Sequence, residues 1–360
     1  GGGRHDPPWN QFNDTWVFKN GAWTQKFPAN SPSPRRTHAM AFDSNRGRTV
    51  LFGGELSGYG GSGSHETWEW DGTNWFQRTS AASPPQTDNA VMVYDEARKV
   101  CVLFGGFTAP GQAYDNHTWT WDGTNWLQKA PAMSPAARIY HAMAFDRLRQ
   151  RVLMAGGGTT GNLNDTWEWD GANWEQKVAS NYPTNHLRAA MAYSEGLGSC
   201  VLFGAFLPSL YNDAWLWDGA NWRLLNPPFS PAGRWAHNLI EDRLNNRLIA
   251  FGGSYSDTGF YNDTWALVPG FAPTVTLTNP LPGATFTAPA SITLQESASD
   301  SDGTVVNVDF YYALSSQPST LNLIGEDTTS PFAIAWSNVI AGTYLLTAKA
   351  TDNDGATTTS

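Results

Sequence analysis

A short unit, written NDTWEWDGANW at 164–174, returns through most of the chain at nearly constant spacing. Its first tryptophan falls at Trp16, Trp68, Trp119, Trp167, Trp215 and Trp265, with separations of 52, 51, 48, 48 and 50 residues. A repeat of about 50 residues cannot bury its apolar face alone and has to stack on its neighbours, so the period restricts the chain to repetitive architectures. Each unit holds an alternating segment (HAMAFD, 38–43), an apolar run ending in Gly-Gly (VLFGG, 50–54), a second alternating segment (TWEWDG, 67–72) and a short run after a turn (NWFQR, 74–78). Period-two patterning bounded by Gly, Pro, Asn and Asp predicts a four-stranded meander per unit, hence an all-β fold. Trp167 and Trp169 are two apart and share a strand face, with Trp174 across an Asp-Gly hairpin. That places one aromatic platform in each unit, suited to packing on the next sheet.

The order of these motifs resembles the kelch repeat, with its early R-x-x-H, its Gly-Gly closing strand two and its spaced aromatics on strands three and four. The resemblance covers residues 1–268. It implies a kelch β-propeller of radial four-stranded blades. Departures are Ala155-Gly156-Gly157 and Phe203-Gly204-Ala205 for Phe-Gly-Gly, and Asn212-Asp213-Ala214 for Asn-Asp-Thr. Arg35-x-x-His38, Arg138-x-x-His141 and Arg234-x-x-His237 occur in alternate units, while the others carry Thr87/Ala90 and His186/Ala189. This two-blade super-repeat favours an even blade number, six rather than seven. The opening Gly1-Gly2-Gly3 followed by NDTWVFKNGAW reads as the end of strand two, then strands three and four, of a blade whose first half is expected upstream. A five-blade ring, closed by joining the first strands of the last unit to residues 13–27, is the alternative.

Composition shifts after Val268. Residues 269–273 (PGFAP) read as a linker, and over 274–360 Trp becomes rare while Thr and Ser rise. Strands are expected at TVTLT (274), SITLQES (291), VVNVDFYYA (305), FAIAW (332) and TYLLTAKATD (343). DSDGTVVNVDFYY and AKATDNDGATTTS resemble bacterial immunoglobulin-like modules of secreted and surface proteins. The resemblance implies a small β-sandwich, here expected to lack its last strand, acting as a spacer or a self-assembly contact.

Net charge is −10 and the 22 basic residues form no run, which argues against nucleic acid as a partner. No apolar stretch reaches the roughly 20 residues of a membrane span, so no membrane insertion is expected. Cys101 and Cys200 occupy one repeat position and read as buried core residues. Three repeat-equivalent histidines could suggest a metal ring. However, His38, Met40 and Phe42 share a strand face, which marks a packing surface instead. Asp300-Ser301-Asp302-Gly303 and Asp352-Asn353-Asp354-Gly355 read as turns rather than calcium loops, because neither has the glutamate such a loop requires. Four Asn-x-Thr sequons, at Asn13, Asn116, Asn164 and Asn262, come with the repeat.

No nucleophile–base pair, phosphate loop or metal cluster stands at usable spacing, and no cofactor is expected. The resemblance implies that the arginines Arg35, Arg138 and Arg234 face the channel mouth and take acidic ligands, with Tyr140 and Trp235 adding stacking surface. The plainer reading pairs each arginine with a neighbouring loop carboxylate. The expected function is a secreted or cell-surface scaffold that binds a glycan or protein partner without turnover. A polysaccharide-active enzyme with its site at the propeller channel mouth, lined by the loop of residues 55–65, or a subunit of an extracellular filament or layer, are the alternatives.

Overall fold

The computed structural model describes residues 11–56, 63–108, 113–159, 161–183, 186–206, 209–225, 230–256, 259–268, 272–300, 304–353 and 356–360. Gly1–Gly3, most of the loop at 55–65, most of the 269–273 linker and parts of both Asp-rich turns lie outside them. The chain divides into two compact units, one of Gly1–Leu225 with Ser230–Val268, the other built around Pro269–Ser360. Apart from one 3-10 turn at Arg243–Asn245, the regular elements of the described residues are strands.

In the first unit four antiparallel meanders follow one another. Sheet 1 comprises Ala39–Asp43, Arg48–Phe52, Thr67–Trp70 and Trp75–Arg78, and sheet 2 comprises Val91–Asp95, Val100–Phe104, Thr118–Trp121 and Trp126–Lys129. Sheet 3 is Ala142–Asp146, Arg151–Ala155, Thr166–Trp169 and Trp174–Lys177, and sheet 4 is Ala190–Ser194, Ser199–Phe206, Leu210–Trp217 and Trp222–Leu225. Sheet 5 has three strands, Asn238–Asp242, Arg247–Phe251 and Thr264–Leu267, while Thr15–Lys19 and Ala22–Lys26 form a separate hairpin. The five-blade closure expected as an alternative is thereby corrected: the last unit's strands pair with their own third strand, Phe251 opposite Thr264, and not with residues 13–27. The first strands of sheets 1 to 5 lie side by side in sequence order, so the sheets stack face to face as propeller blades.

What joins the sheets is aromatic. Trp121, Trp169 and Trp217 are wholly buried, each tilted 41–49° against the tryptophan across its hairpin at 5.3–5.4 Å. The fourth-strand indole also reaches back to the preceding sheet. Trp126 Nε1 donates to Thr67 Oγ1 at 2.8 Å, Trp174 to Thr118 at 2.9 Å and Trp222 to Thr166 at 2.9 Å. This explains one departure from the repeat. Ala214 stands where Thr is expected, and the sheet that follows it, sheet 5, has no fourth strand among the described residues and so no indole to be accepted. The Asp-Gly turn has a cause of the same kind: Gly171 has φ +99° and the Arg98 side chain of sheet 2 lies where a Cβ would be. Cys101 and Cys200 are free and buried at these joints, and burial pushes their thiols well up.

The second unit packs a sheet of Thr274–Asn279, Ala290–Ser299 and Ala333–Val339 on a sheet of Asn322–Asp327, Val305–Leu314, Tyr344–Asp352 and Thr357–Thr359. Leu294, Val308, Phe310, Ala348 and Ala350 form its dry centre. The expectation of a missing last strand is corrected. The Ala356 N–H donates to Asp352 Oδ1 at 2.9 Å, and three β-branched threonines then pair with Lys349–Thr351.

Candidate functional site

The chain enters each first strand through one residue in the left-handed region: Thr37, Asn89, Tyr140, Arg188 and Ala236, with φ of 52–60°. None is glycine, so each carries strain of order 1 kcal/mol that its surroundings must hold. Backbone hydrogen bonds between sheets do so. Asn89 N–H donates to Thr37 O at 3.0 Å, Arg188 N–H to Tyr140 O at 2.9 Å, and Ala236 N–H to Arg188 O at 2.9 Å. These residues gather at one end of the first strands, and their side chains are exposed or half-buried there.

Two positions before them stand the three arginines singled out in the sequence, and the structure places all three inside the sheets. Arg138 donates to both carboxylate oxygens of Asp165, at 2.6 and 2.8 Å, and to Gly156 O at 2.9 Å. Arg234 makes the same fork with Asp263, at 2.7 and 2.9 Å, and reaches Gly252 O at 2.8 Å. Arg35 pairs with Glu66 and donates to Gly53 O at 2.9 Å. All three guanidinium groups are buried, so the expectation that they face a channel mouth is corrected in favour of the plainer pairing. The hydrogen bond from Arg234 holds the Asp263 carboxyl down at about 2. Burial alone would raise Asp165, but the Arg138 fork keeps it below the usual carboxylate range.

The acids also accept from tryptophan two residues on, Asp165 from Trp167 at 2.7 Å and Asp263 from Trp265 at 2.7 Å. In sheet 4 His186 replaces the arginine and meets Asp213 at 3.2 Å. In sheet 2, Thr87 replaces the arginine and His117 replaces the acid. Trp119 Nε1 there is buried without a partner. His141 and His237 lie edge-on to Phe104 and Phe203, at 5.7 and 5.1 Å between ring centres. Burial lowers both to about 3, so they are neutral packing groups. Among the described residues no three His, Cys, Asp or Glu come together as metal ligands.

Tyr140 and Trp235, by contrast, do meet at the strand entry, around a residue the sequence did not single out. The Arg188 guanidinium carbon lies 3.8 Å from the Tyr140 ring centre and 4.6 Å from that of Trp235. Among the described residues its N–H groups have neither a hydrogen-bond nor an ion-pair partner. Rings on its faces leave the edge of the guanidinium, where its donors point, for an anion. Arg188 escaped the sequence reading because its unit lacks the R-x-x-H motif. Its signal was position, since Tyr140 and Arg188 occupy one place in successive repeats.

The opposite end of the first strands is crossed by ion pairs. Arg147 pairs with Glu241 and lies 3.4 Å from Glu195, and Arg243 pairs with Glu96 and, at 3.1 Å, with Glu241. A recess of about 310 Å3 lies elsewhere, along Asn164–Thr166, Gln176–Ala179 and Tyr182. Its cation, Lys177, is held by Glu168 and Glu175 at 3.2 Å each. Asn353, in the second Asp-rich turn, accepts from the Thr304 N–H at 2.6 Å and so ties two strand ends.

Residues 273–348 match the family described as a bacterial Ig domain, Big_7. No curated protein matches the chain. Among solved structures the chain is similar to that titled "Structure of YjhT", with a TM-score of 0.54 at 15% identity, covering 69% of this chain and 86% of that one. At that identity the likeness bears on the fold alone. Bacterial Ig domains are typically extracellular or surface-associated, and no helix among the described residues is long and apolar enough to cross a membrane.

Proposed function

We propose that the chain is a secreted or cell-surface binding scaffold, a kelch-type propeller with six blade positions, whose Arg188 edge takes a carboxylate or sulfate on a glycan. One observation carries the reading. Arg188 is, among the described residues, a guanidinium without an acidic partner in a protein of net charge −10, clamped by Tyr140 and Trp235, whereas Arg35, Arg138 and Arg234 are spent on internal pairs. A clamped arginine has already lost rotamer freedom, so less is lost on binding. The half-buried Tyr140 ring, with Thr37 and Asn89 at equivalent entries, suits the mixed polar and apolar faces of a sugar, while Trp235 is buried and serves to hold the guanidinium.

The test is a glycan array of uronic-acid, sulfated and neutral oligosaccharides, followed by mass spectrometry of the bound sugars. Acidic glycans should be retained intact. Arg188→Ala should weaken them roughly ten- to a hundredfold, the value of one charge-assisted contact, in a variant whose circular dichroism shows it still folded. Equal retention of the acidic glycans by the variant overturns the site, and cleaved or oxidised sugar overturns the non-catalytic reading. Binding of an acidic protein loop but of no glycan would retain the site and reassign its ligand.

A further inference from the structure

We propose that the recess between sheet 3 and the loop that follows it, bounded by Gln176 and Tyr182, is a second binding site that takes a neutral hexopyranose unit of a glycan. The recess exists because the repeat is broken there. After sheets 1, 2 and 4 the outgoing loop carries a serine whose hydroxyl donates to the carbonyl 18 residues back, just ahead of the third strand: Ser83 to His65 at 3.4 Å, Ser134 to Asn116 at 3.0 Å and Ser230 to Asn212 at 2.8 Å. That bond closes the loop onto its own sheet. After sheet 3 the same position, 18 residues beyond Asn164, is Tyr182, whose phenol ring cannot fold into the place of a hydroxymethyl group. The ring stands 43% exposed instead, beside the recess of about 310 Å3.

A second departure extends the recess inward. His186 stands where Arg138 and Arg234 enter sheets 3 and 5, and its shorter side chain turns to Asp213 at 3.2 Å. Beside it a pocket of about 10 Å3, room for one water or one ligand hydroxyl, adjoins the recess through Asp165 and Tyr182. The loop that carries Tyr182 is fixed from sheet 4. The Ser180 N–H and hydroxyl both donate to Asn221 Oδ1, at 2.8 and 2.7 Å, and the Asn181 side chain donates to Trp222 O at 3.0 Å. Little freedom is therefore left to lose on binding.

The lining selects the ligand. Small-molecule sites run from about 300 to 1,000 Å3, so this one fits a single sugar ring. Neither charge at its edge is available: Asp165 is forked by Arg138, and Lys177 lies 3.2 Å from both Glu168 and Glu175. A carboxylate, sulfate or amine meets no counter-charge there. What remains is the exposed Tyr182 ring, which suits the C–H face of a pyranose, and the exposed Gln176 amide, which offers a donor and an acceptor to neighbouring hydroxyls.

The experiment titrates residues 1–360 with the methyl glycosides of glucose, galactose and mannose, and with glucuronic acid and glucosamine as charged controls, by saturation-transfer NMR and calorimetry. The recess shares no residue with the Arg188 clamp, so its outcome is independent of the acidic-glycan reading. At least one neutral glycoside should bind at millimolar affinity. Tyr182→Ser, which restores the serine of the repeat, should weaken it about tenfold, and Gln176→Ala several-fold, in variants whose circular dichroism is unchanged. Any binding of the charged controls should be insensitive to Tyr182→Ser. Absence of binding by all three neutral glycosides, equal binding by Tyr182→Ser, or binding of glucuronic acid or glucosamine that Tyr182→Ser abolishes would each overturn the proposal.

Discussion

At the scale of single residues, the buried arginines and histidines set how the first unit answers to mutation and acid. Arg138 is enclosed with both its forks satisfied, so Arg138→Ala would leave Asp165 half-buried without its cation. Removing one partner of a buried pair costs about 3–5 kcal/mol, and thermal unfolding should show a loss of that order. Arg138→Lys should recover only part of it, since an ammonium cannot span both carboxylate oxygens and Gly156 O. His141 and His237 supply a second measurement. Each is held at about 3 by burial, below its unfolded value of 6.5, so the unfolded chain takes up protons first as pH falls. Stability is complete above about 6.5 and declines toward 3, by about 1.4 kcal/mol per pH unit per histidine. Between pH 6.5 and 4.5, before the carboxylates titrate, the slope belongs to such histidines. Replacing His237 by Leu should flatten it in a pH series of melting curves.

At the scale of strands and sheets, the indole-to-threonine bond is the recurring fastener. Trp174→Phe keeps most of the apolar area but leaves Thr118 Oγ1 without its donor. About 1–2 kcal/mol should be lost in denaturant titrations, whereas Ala214→Thr should gain nothing because no indole faces it. The strands themselves were legible in the sequence. Alternation in HAMAFD and the run VLFGG mark both inner strands, and the Trp-x-Trp spacing puts both rings at one joint. Less visible was what depends on contacts between repeats. Arg35, Arg138 and Arg234 read equally well as mouth residues or as paired groups, because their partners stand 27–31 residues further on, at the acid two places before Trp. The strand at Asn322–Asp327 went unnoticed, since its Gly325 and flanking charges resemble a turn. Arg188 could be placed only by its backbone, whose left-handed turn sets it beside Tyr140.

At the scale of the molecule, the two units should respond to pH in opposite senses, and tryptophan separates them. Of the 18 tryptophans only Trp336 lies beyond Val268, so intrinsic fluorescence reports chiefly the first unit. Within the second unit, Glu296 is buried with neither carboxylate oxygen hydrogen-bonded, and burial raises its pKa to about 7. The sign is the reverse of that for His141. The folded second unit keeps a proton that the unfolded chain releases near 4.5, so stability is complete below about 4.5 and is lost as pH rises toward about 7. Over the same window the first unit gains stability with rising pH as its histidines cease to titrate in the unfolded chain. Melting curves followed by tryptophan emission should therefore move up between pH 4.5 and 6.5, while those followed by hydrogen exchange at Phe310 and Ala348 move down. Glu296→Gln should remove the second trend and leave the first intact. A common shift in both signals would mean that the units unfold as one cooperative body, in which case the buried carboxyl would act on the whole chain.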